Sequence, residues 1–298
     1  MELLREALLQ NGVPTETEYP MSRHSSFRIG GNAALAIFPR TREEMILSLR
    51  LIRERKVRYH VLGRASNVVF PDEGFVGAVL FTTSNREILV EGNLIRASAG
   101  ALLYSLAVAA RQASLSGLEF AHGIPGTLGG GIVMNAGAYG CSVQDICVCS
   151  EYFDTATGTV GELVGKEQKF SYRHSIYCEN PDYVVLGATL RGTFDDPSMI
   201  SARMEEFKQR RRAMQPLDYP SAGSVFKRPV GAFAGKLIED CGLKGVREGG
   251  AEVSVKHAGF IVNRGAASAE DVKRLVARIQ KTVLEKTGVM LEPEIRFL

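Results

Sequence analysis

Seven of the eighteen residues from Gly123 to Gly140 are glycine. They fall in Gly123-Ile124-Pro125-Gly126-Thr127-Leu128-Gly129-Gly130-Gly131 and, after an apolar turn, in Asn135-Ala136-Gly137-Ala138-Tyr139-Gly140. Small residues at this density let backbone N–H groups approach a diphosphate without interference from Cβ atoms, as positive-φ nests do. They suit equally a crowded helix–strand junction that needs glycine for packing, and composition leaves the two readings even. A shorter loop, Gly63-Arg64-Ala65-Ser66-Asn67, reads by itself as a plain turn. Two familiar nucleotide signatures are excluded. The Gly-Lys pairs at 165–166 and 235–236 lack the spacing and the Ser/Thr of a P-loop, and no Gly-x-Gly-x-x-Gly joins a strand to a helix.

The chain has 298 residues, beyond the roughly 250–300 at which one hydrophobic core stops growing, so two or three domains with a cleft are expected. With 36 basic and 33 acidic side chains the net charge is +3, too small to hold a nucleic-acid backbone nonspecifically. The N-terminal run Met1-Glu2-Leu3-Leu4-Arg5-Glu6-Ala7-Leu8-Leu9 reads as an amphipathic helix rather than a signal peptide, and the weakly polar run 97–110 is too short to span a bilayer. Five cysteines without a Cys-x-x-Cys pair argue against a disulfide framework and a zinc site. Five histidines without ligand spacing leave no metal site expected, with His24, His60 and His122 structural by default. A reducing cytoplasm, no membrane and no nucleic-acid partner fit best.

Strands and helices mix without regular βαβ alternation, which gives an α+β class. Thr41-Arg42-Glu43-Glu44 is a capping box opening a helix through Met45, Leu49 and Ile52, followed by a strand at 59–62. Hairpins are expected around Gly92-Asn93 and around residues 154–158, a helix at 101–114, and a long buried strand at 183–194. Asp195-Asp196-Pro197 is the clearest break. A helix from 198 to about 214 follows, then a loop-rich stretch at 215–260. Next come a strongly marked helix at 268–287 capped by Ser268-Ala269-Glu270-Asp271 and an extended segment at 289–297.

Three residues carry possible chemistry, each with a bland alternative. Arg173 in Ser171-Tyr172-Arg173-His174-Ser175 ordinarily reads as a surface or ion-paired cation. Ser224 in Ser221-Ala222-Gly223-Ser224-Val225-Phe226-Lys227-Arg228-Pro229 presents a hydroxyl beside two cations, or is a turn serine. Glu294, between Pro293 and an apolar run, is either a partly buried acid of raised pKa or an edge carboxylate paired with Arg296. The basic run Lys208-Gln209-Arg210-Arg211-Arg212 reads as a solvated helix end.

Taken together, these segments resemble the UDP-N-acetylenolpyruvoylglucosamine reductase family. The match runs from Ser25-Ser26-Phe27-Arg28-Ile29-Gly30-Gly31 through 63–67, 123–140, 171–175, 222–229 and Gly249-Gly250-Ala251-Glu252-Val253-Ser254 to 291–297, in order and spacing. The resemblance implies an FAD-binding fold of the vanillyl-alcohol-oxidase (PCMH) type. Flavin-binding subdomains would span 1–80, joined by 291–298, and 81–196, with a substrate-binding domain at 197–290. FAD would be noncovalent and NADPH the hydride donor. The activity implied is that of a reductase acting on a CH–CH bond, converting UDP-N-acetylglucosamine enolpyruvate to UDP-N-acetylmuramate for peptidoglycan and so serving cell-wall biogenesis, cell shape and division.

Cofactor-binding residues implied are Gly63, Arg64, Ala65, Ser66, Asn67, Gly123, Ile124, Pro125, Gly126, Thr127, Gly130, Asn135, Ala136 and Gly137. Arg173 and Glu294 would stabilise charge on the carboxylate side of the substrate, and Ser224 would protonate its α-carbon. Arg212, Gln215, Lys227, Arg228 and His257 would contact diphosphate and sugar. Arg228 stands where some members have asparagine and would tighten anion binding, and Val255 stands at a position usually polar. The fifty residues between Arg173 and Ser224 leave no room for the tyrosine-bearing insertion of the longer subclass. Two alternatives are another flavin oxidoreductase of this fold and a non-catalytic nucleotide-sugar-binding protein. No obligate protein partner is implied.

Overall fold

The computed structural model describes residues 1–298. The chain forms two compact units, one of Met1–Glu18, Ala34–Arg64 and Val76–Arg210, the other of Tyr19–Ala33, Ala65–Phe75 and Arg211–Leu298. No helix is long and apolar enough to cross a membrane.

The first unit holds two sheets and two cores. A four-stranded sheet runs in the order Thr15–Pro20, Asn32–Ile37, Phe75–Phe81, Tyr59–Leu62, with the last two strands parallel. Helices Glu2–Gln10 and Arg42–Glu54 bury Leu4, Leu8, Met45, Leu49 and Ile52 with Leu35, Ile37 and Leu80. Thr41 caps the second helix by accepting from the Glu44 amide at 3.1 Å. The reciprocal arm of the expected box goes elsewhere: the Glu44 carboxylate accepts from the amide and guanidinium of Arg40.

The second sheet is antiparallel, in the order Thr159–Val164, Cys147–Asp154, Tyr183–Arg191, Leu94–Ser98, Ile88–Glu91. Both expected hairpins form, with Glu91 opposite Leu94 and Asp154 opposite Thr159. The strand expected to reach 194 stops at Arg191. A Cβ on Gly192 would lie 2.8 Å from that of Leu115, and beyond this crowded point Thr193–Phe194 pairs instead with Leu115–Ser116. The core beside this sheet gathers Ile95, Leu106, Leu128, Ile132 and Leu190 with Ile200 and Met204 of the helix Pro197–Met214. That helix is also anchored by Arg203, which pairs with the buried Glu119 at 2.8 Å and with Asp195.

In the second unit, the strands Arg247–Glu248, Ala251–Val253 and Ile261–Asn263 form a sheet against the helix Ala269–Thr287. Val272, Leu275, Val276, Ile279 and Val283 of that helix enter a core shared with Phe27, Ile29 and Val69. Ser268 and Asp271 close the expected capping box, and Asp72, 197 residues away, adds a second cap by accepting from the amides of Ala269 and Glu270 at 2.7 and 3.2 Å. The stretch read as loop-rich contains a helix, Ala234–Asp240, whose seven residues show too little periodicity to stand out although Ala234 and Ile238 are buried. Of the extended tail, only Arg296–Phe297 is a strand, parallel to Val68–Val69.

Candidate active site

Within the first unit the two glycine-rich loops meet at Gly63 and Thr127. A Cβ built on Gly63 would lie 2.1 Å from Thr127 Oγ1, so glycine is required there by close approach. Thr127 is 1% exposed and its hydroxyl oxygen is buried without a hydrogen-bond partner, an orphaned polar atom of the kind that a bound ligand satisfies. Gly130 faces the same hydroxyl, its built Cβ 3.7 Å from Oγ1.

The neighbouring glycines do something else. The Leu128 and Gly129 amides donate to the Ala101 and Ala99 carbonyls at 2.8 Å, and a Cβ on Gly129 would sit 3.0 Å from that of Ala99. Gly131 rests against Leu103 and Val143. The cluster therefore divides: Gly129 and Gly131 serve packing, while Gly63 and Gly130 border the buried hydroxyl.

Arg173 sits in a tight turn closed by the reciprocal backbone bonds of Ser171 and His174. Its φ of +56° is in the left-handed region, which costs a residue with a Cβ about 1–2 kcal/mol. Surrounding structure must hold it there. The guanidinium donates to the Gly137 carbonyl at 3.4 Å and lies 5.1 Å from the Tyr172 ring centroid. Asn135, itself at φ +40° and buried, donates to the Ser171 carbonyl at 2.8 Å.

In the second unit an extended segment carrying Ser224 runs between two others. Ser224 bridges to Phe260, Val225 N donates to Gly259 O at 2.9 Å, and Glu294 N donates to Val225 O at 2.7 Å. Ser224 and Glu294, seventy residues apart in sequence, thus stand on adjacent segments, both half-buried. Gly223, at φ +81°, makes the turn before the serine. Asn67 joins the flank: its side-chain amide donates to the Glu294 carbonyl at 3.1 Å, and its own backbone carbonyl accepts from Arg296 N at 3.0 Å. Ser26, whose role no sequence pattern disclosed, donates to the Ser221 carbonyl at 2.8 Å while its amide reaches Ala65 O at 3.3 Å.

The five residues expected to contact substrate also lie here. His257 accepts at Nδ1 from the Gly259 amide at 3.1 Å, so the neutral ring carries its proton on Nε2, and burial pushes its pKa below the usual value. Gln215 has its side-chain oxygen buried without a partner. The Lys227 ammonium pairs with Glu292, and the exposed Arg228 guanidinium lies 4.5 Å from the Phe233 ring centroid. The Arg212 carbonyl is capped by Lys256 Nζ at 2.6 Å. Val255 is exposed, and nothing in the structure explains its choice.

With a family match described as "FAD binding domain" over residues 33–163, the α+β architecture is that of an FAD-dependent oxidoreductase with a fold of the vanillyl-alcohol-oxidase type. Residues 215–298 match "UDP-N-acetylenolpyruvoylglucosamine reductase, C-terminal domain". The UDP-N-acetylenolpyruvoylglucosamine reductase of Caldicellulosiruptor bescii is 46% identical over 293 residues, 98% of this chain and 93% of that protein. That of Caldanaerobacter subterraneus subsp. tengcongensis is 48% identical over 282 residues, 94% of this chain and 92% of that protein. The crystal structure of the reductase from Thermus caldophilus superposes with a TM-score of 0.78 at 33% identity, covering 96% of this chain and 98% of that one. Berberine bridge enzyme from Eschscholzia californica, at 14% identity and a TM-score of 0.50, covers 65% of this chain and 44% of its own and shares the fold alone. The chain belongs to the UDP-N-acetylenolpyruvoylglucosamine reductase family.

Proposed function

We infer that this chain catalyses the NADPH-driven, FAD-dependent reduction of UDP-N-acetylglucosamine enolpyruvate to UDP-N-acetylmuramate, a step of peptidoglycan precursor synthesis. The observation that carries the reading is, in the first unit, a glycine cradle around an orphaned threonine hydroxyl; in the second unit, by itself, a ladder sets Ser224 beside Glu294. The loops 63–67 and 123–127, with Gly130 and 135–137, would hold the flavin noncovalently through their backbones and the Thr127 hydroxyl. His122 is engaged otherwise, its ring 4.7 Å from that of Tyr104.

When bound, the flavin supplies the hydride relay between NADPH and the terminal enolpyruvyl carbon. The remaining work falls to the protein. Hydride arrival at that carbon leaves negative charge spread over the α-carbon and carboxylate of the substrate. Arg173 offsets it as a cation, and Glu294 as a hydrogen-bonding acid. Ser224 donates its hydroxyl proton to the α-carbon. A hydroxyl is a weak acid in water, but it meets a strongly basic enolate-like carbon at contact distance, and general acid catalysis of this kind is worth ~10²–10⁴ in rate. His257, held as a neutral Nε2–H donor, Gln215, Lys227, Arg228 and Arg212 would engage the diphosphate and sugar. The three-part division into flavin subdomains at 1–80 with 291–298 and at 81–196 and a substrate domain at 197–290 belongs to the same reading. So does a cytoplasmic location, in which the five free thiols stay reduced and no nucleic acid or obligate protein partner is required.

Ser224→Ala tests the assignment. In rapid-mixing experiments flavin bleaching by NADPH should be nearly unchanged, while return of the flavin colour on adding the enolpyruvyl nucleotide slows at least about a hundredfold, within the range of lost general acid catalysis. Equal slowing of both half-reactions would sink the assignment.

A further inference from the structure

Each glycine-rich loop contributes one asparagine, and the two side chains are used in the same way. In the second unit, Asn67 Nδ2 donates to the Glu294 backbone carbonyl at 3.1 Å, and the Asn67 backbone carbonyl takes the amide of Arg296 at 3.0 Å, bracketing Ile295 from both sides. In the first unit, Asn135 Nδ2 donates to the Ser171 carbonyl at 2.8 Å and to Gln144 Oε1 at 3.0 Å, while its Oδ1 accepts from the Gln144 amide at 3.0 Å. Both amide protons of Asn135 are therefore committed within the protein, and the residue is 3% exposed. The carbonyl it holds opens the four-residue turn whose third member is Arg173, at φ +56°. A residue with a Cβ stays in that region only where the surroundings over-determine it.

We propose that Asn67 and Asn135 are positioning residues: their side chains hold the backbone of Glu294 and of the Arg173 turn for reaction with the enolpyruvyl nucleotide, while the loops' backbones hold the flavin. The inference rests on the reading of Arg173 and Glu294 as reaction residues. It builds each of them onto a flavin loop through one side-chain amide, so that each takes its alignment from the loop it is tied to.

The test uses the holoenzyme with Asn67→Ala, Asn67→Asp, Asn135→Ala and Asn135→Asp. Each variant is first saturated with FAD, so that its two half-reactions are compared at full flavin occupancy. The return of colour with the enolpyruvyl nucleotide should slow at least about tenfold, less than the ~10² that an ångström of misplacement can cause. Pairing should be selective. Asn67→Ala should add little to Glu294→Gln yet multiply the effect of Arg173→Lys, and Asn135→Ala should show the reverse, since coupling is confined to residues in contact. A merely structural role would slow both half-reactions in step, and that result overturns the proposal. If the fully buried Asn135 variants do not fold, the half-buried Asn67 pair decides it. If Arg173→Lys and Glu294→Gln themselves leave colour return unchanged, the reading beneath the inference fails and the inference with it. If those two slow colour return and the asparagine variants do not, the inference fails alone.

Discussion

Gly63→Ala places a methyl group where the two glycine-rich loops meet, at 2.1 Å from Thr127 Oγ1, 2.9 Å from its Cγ2 and 3.1 Å from its Cβ. Optimal carbon contacts lie near ~3.5–4.0 Å, so the nearest approach falls more than an ångström short. Turning the threonine does not help, because its χ1 is stiff and rotation exchanges one heavy atom for the other. With Thr127 1% exposed, one loop must shift, and overpacking of this kind costs about 1–3 kcal/mol. If the flavin binds only the undistorted arrangement, the same energy weakens FAD binding by about 5- to 150-fold. Titrating apoprotein with FAD by quenching of flavin fluorescence measures the affinity, and thermal unfolding of the apoprotein measures the strain. Thr127→Ala removes the two nearest obstructing atoms, so adding Gly63→Ala in that background should cost much less, a coupling of about 1 kcal/mol or more. An unchanged FAD affinity and melting temperature in Gly63→Ala, or an equal loss in both backgrounds, would refute the close-approach argument.

Two stability predictions follow from a helix cap and from a half-buried histidine. Asp72→Ala removes the second cap of the helix Ala269–Thr287 and should destabilise the protein by about 0.5–2 kcal/mol in denaturant unfolding, with FAD content unchanged. For His257, burial lowers the folded pKa below the unfolded value of ~6.5, so the unfolded chain binds the extra proton first. Stability from this group is therefore complete above that pH and declines as pH falls from 6.5 toward the folded value. His60 and His122, also lowered chiefly by burial, act in the same direction. The urea midpoint should drop between pH 7.5 and 5.5 and drop less in His257→Gln; an identical drop in the variant would show that this imidazole contributes nothing to it. Asp271, a lowered carboxylate at the helix cap, loses its contribution only near and below ~3.9, outside this window.

Much of the local structure was legible because its causes are local. The capping box at 268–271, the apolar stripe through Val283 and the hairpins at 92–93 and 154–159 need only neighbours a few residues away. The misreadings arise where a distant group intervenes. The strand ends at Arg191 because its partner strand begins at Leu94, after which Thr193–Phe194 pairs with Leu115–Ser116, and Arg40 draws the Glu44 carboxylate from its helix cap. The helix Ala234–Asp240 escaped because seven residues carry barely two turns of pattern.

At the candidate site, residue types and order mark the side chains able to carry the chemistry and, through resemblance, the family they belong to. Partnerships were beyond it. That Asn67 holds Glu294 across 227 residues, that Asn135 engages the turn of Arg173, and that Lys227 pairs with Glu292 are matters of which segments the fold lays side by side. The glycine cluster marks the division most clearly. Sequence alone determined that backbones must approach closely there. Only the tertiary structure decided that Gly129 and Gly131 approach other parts of the protein while Gly63 and Gly130 border an unsatisfied hydroxyl, because a missing Cβ records close contact without recording with what.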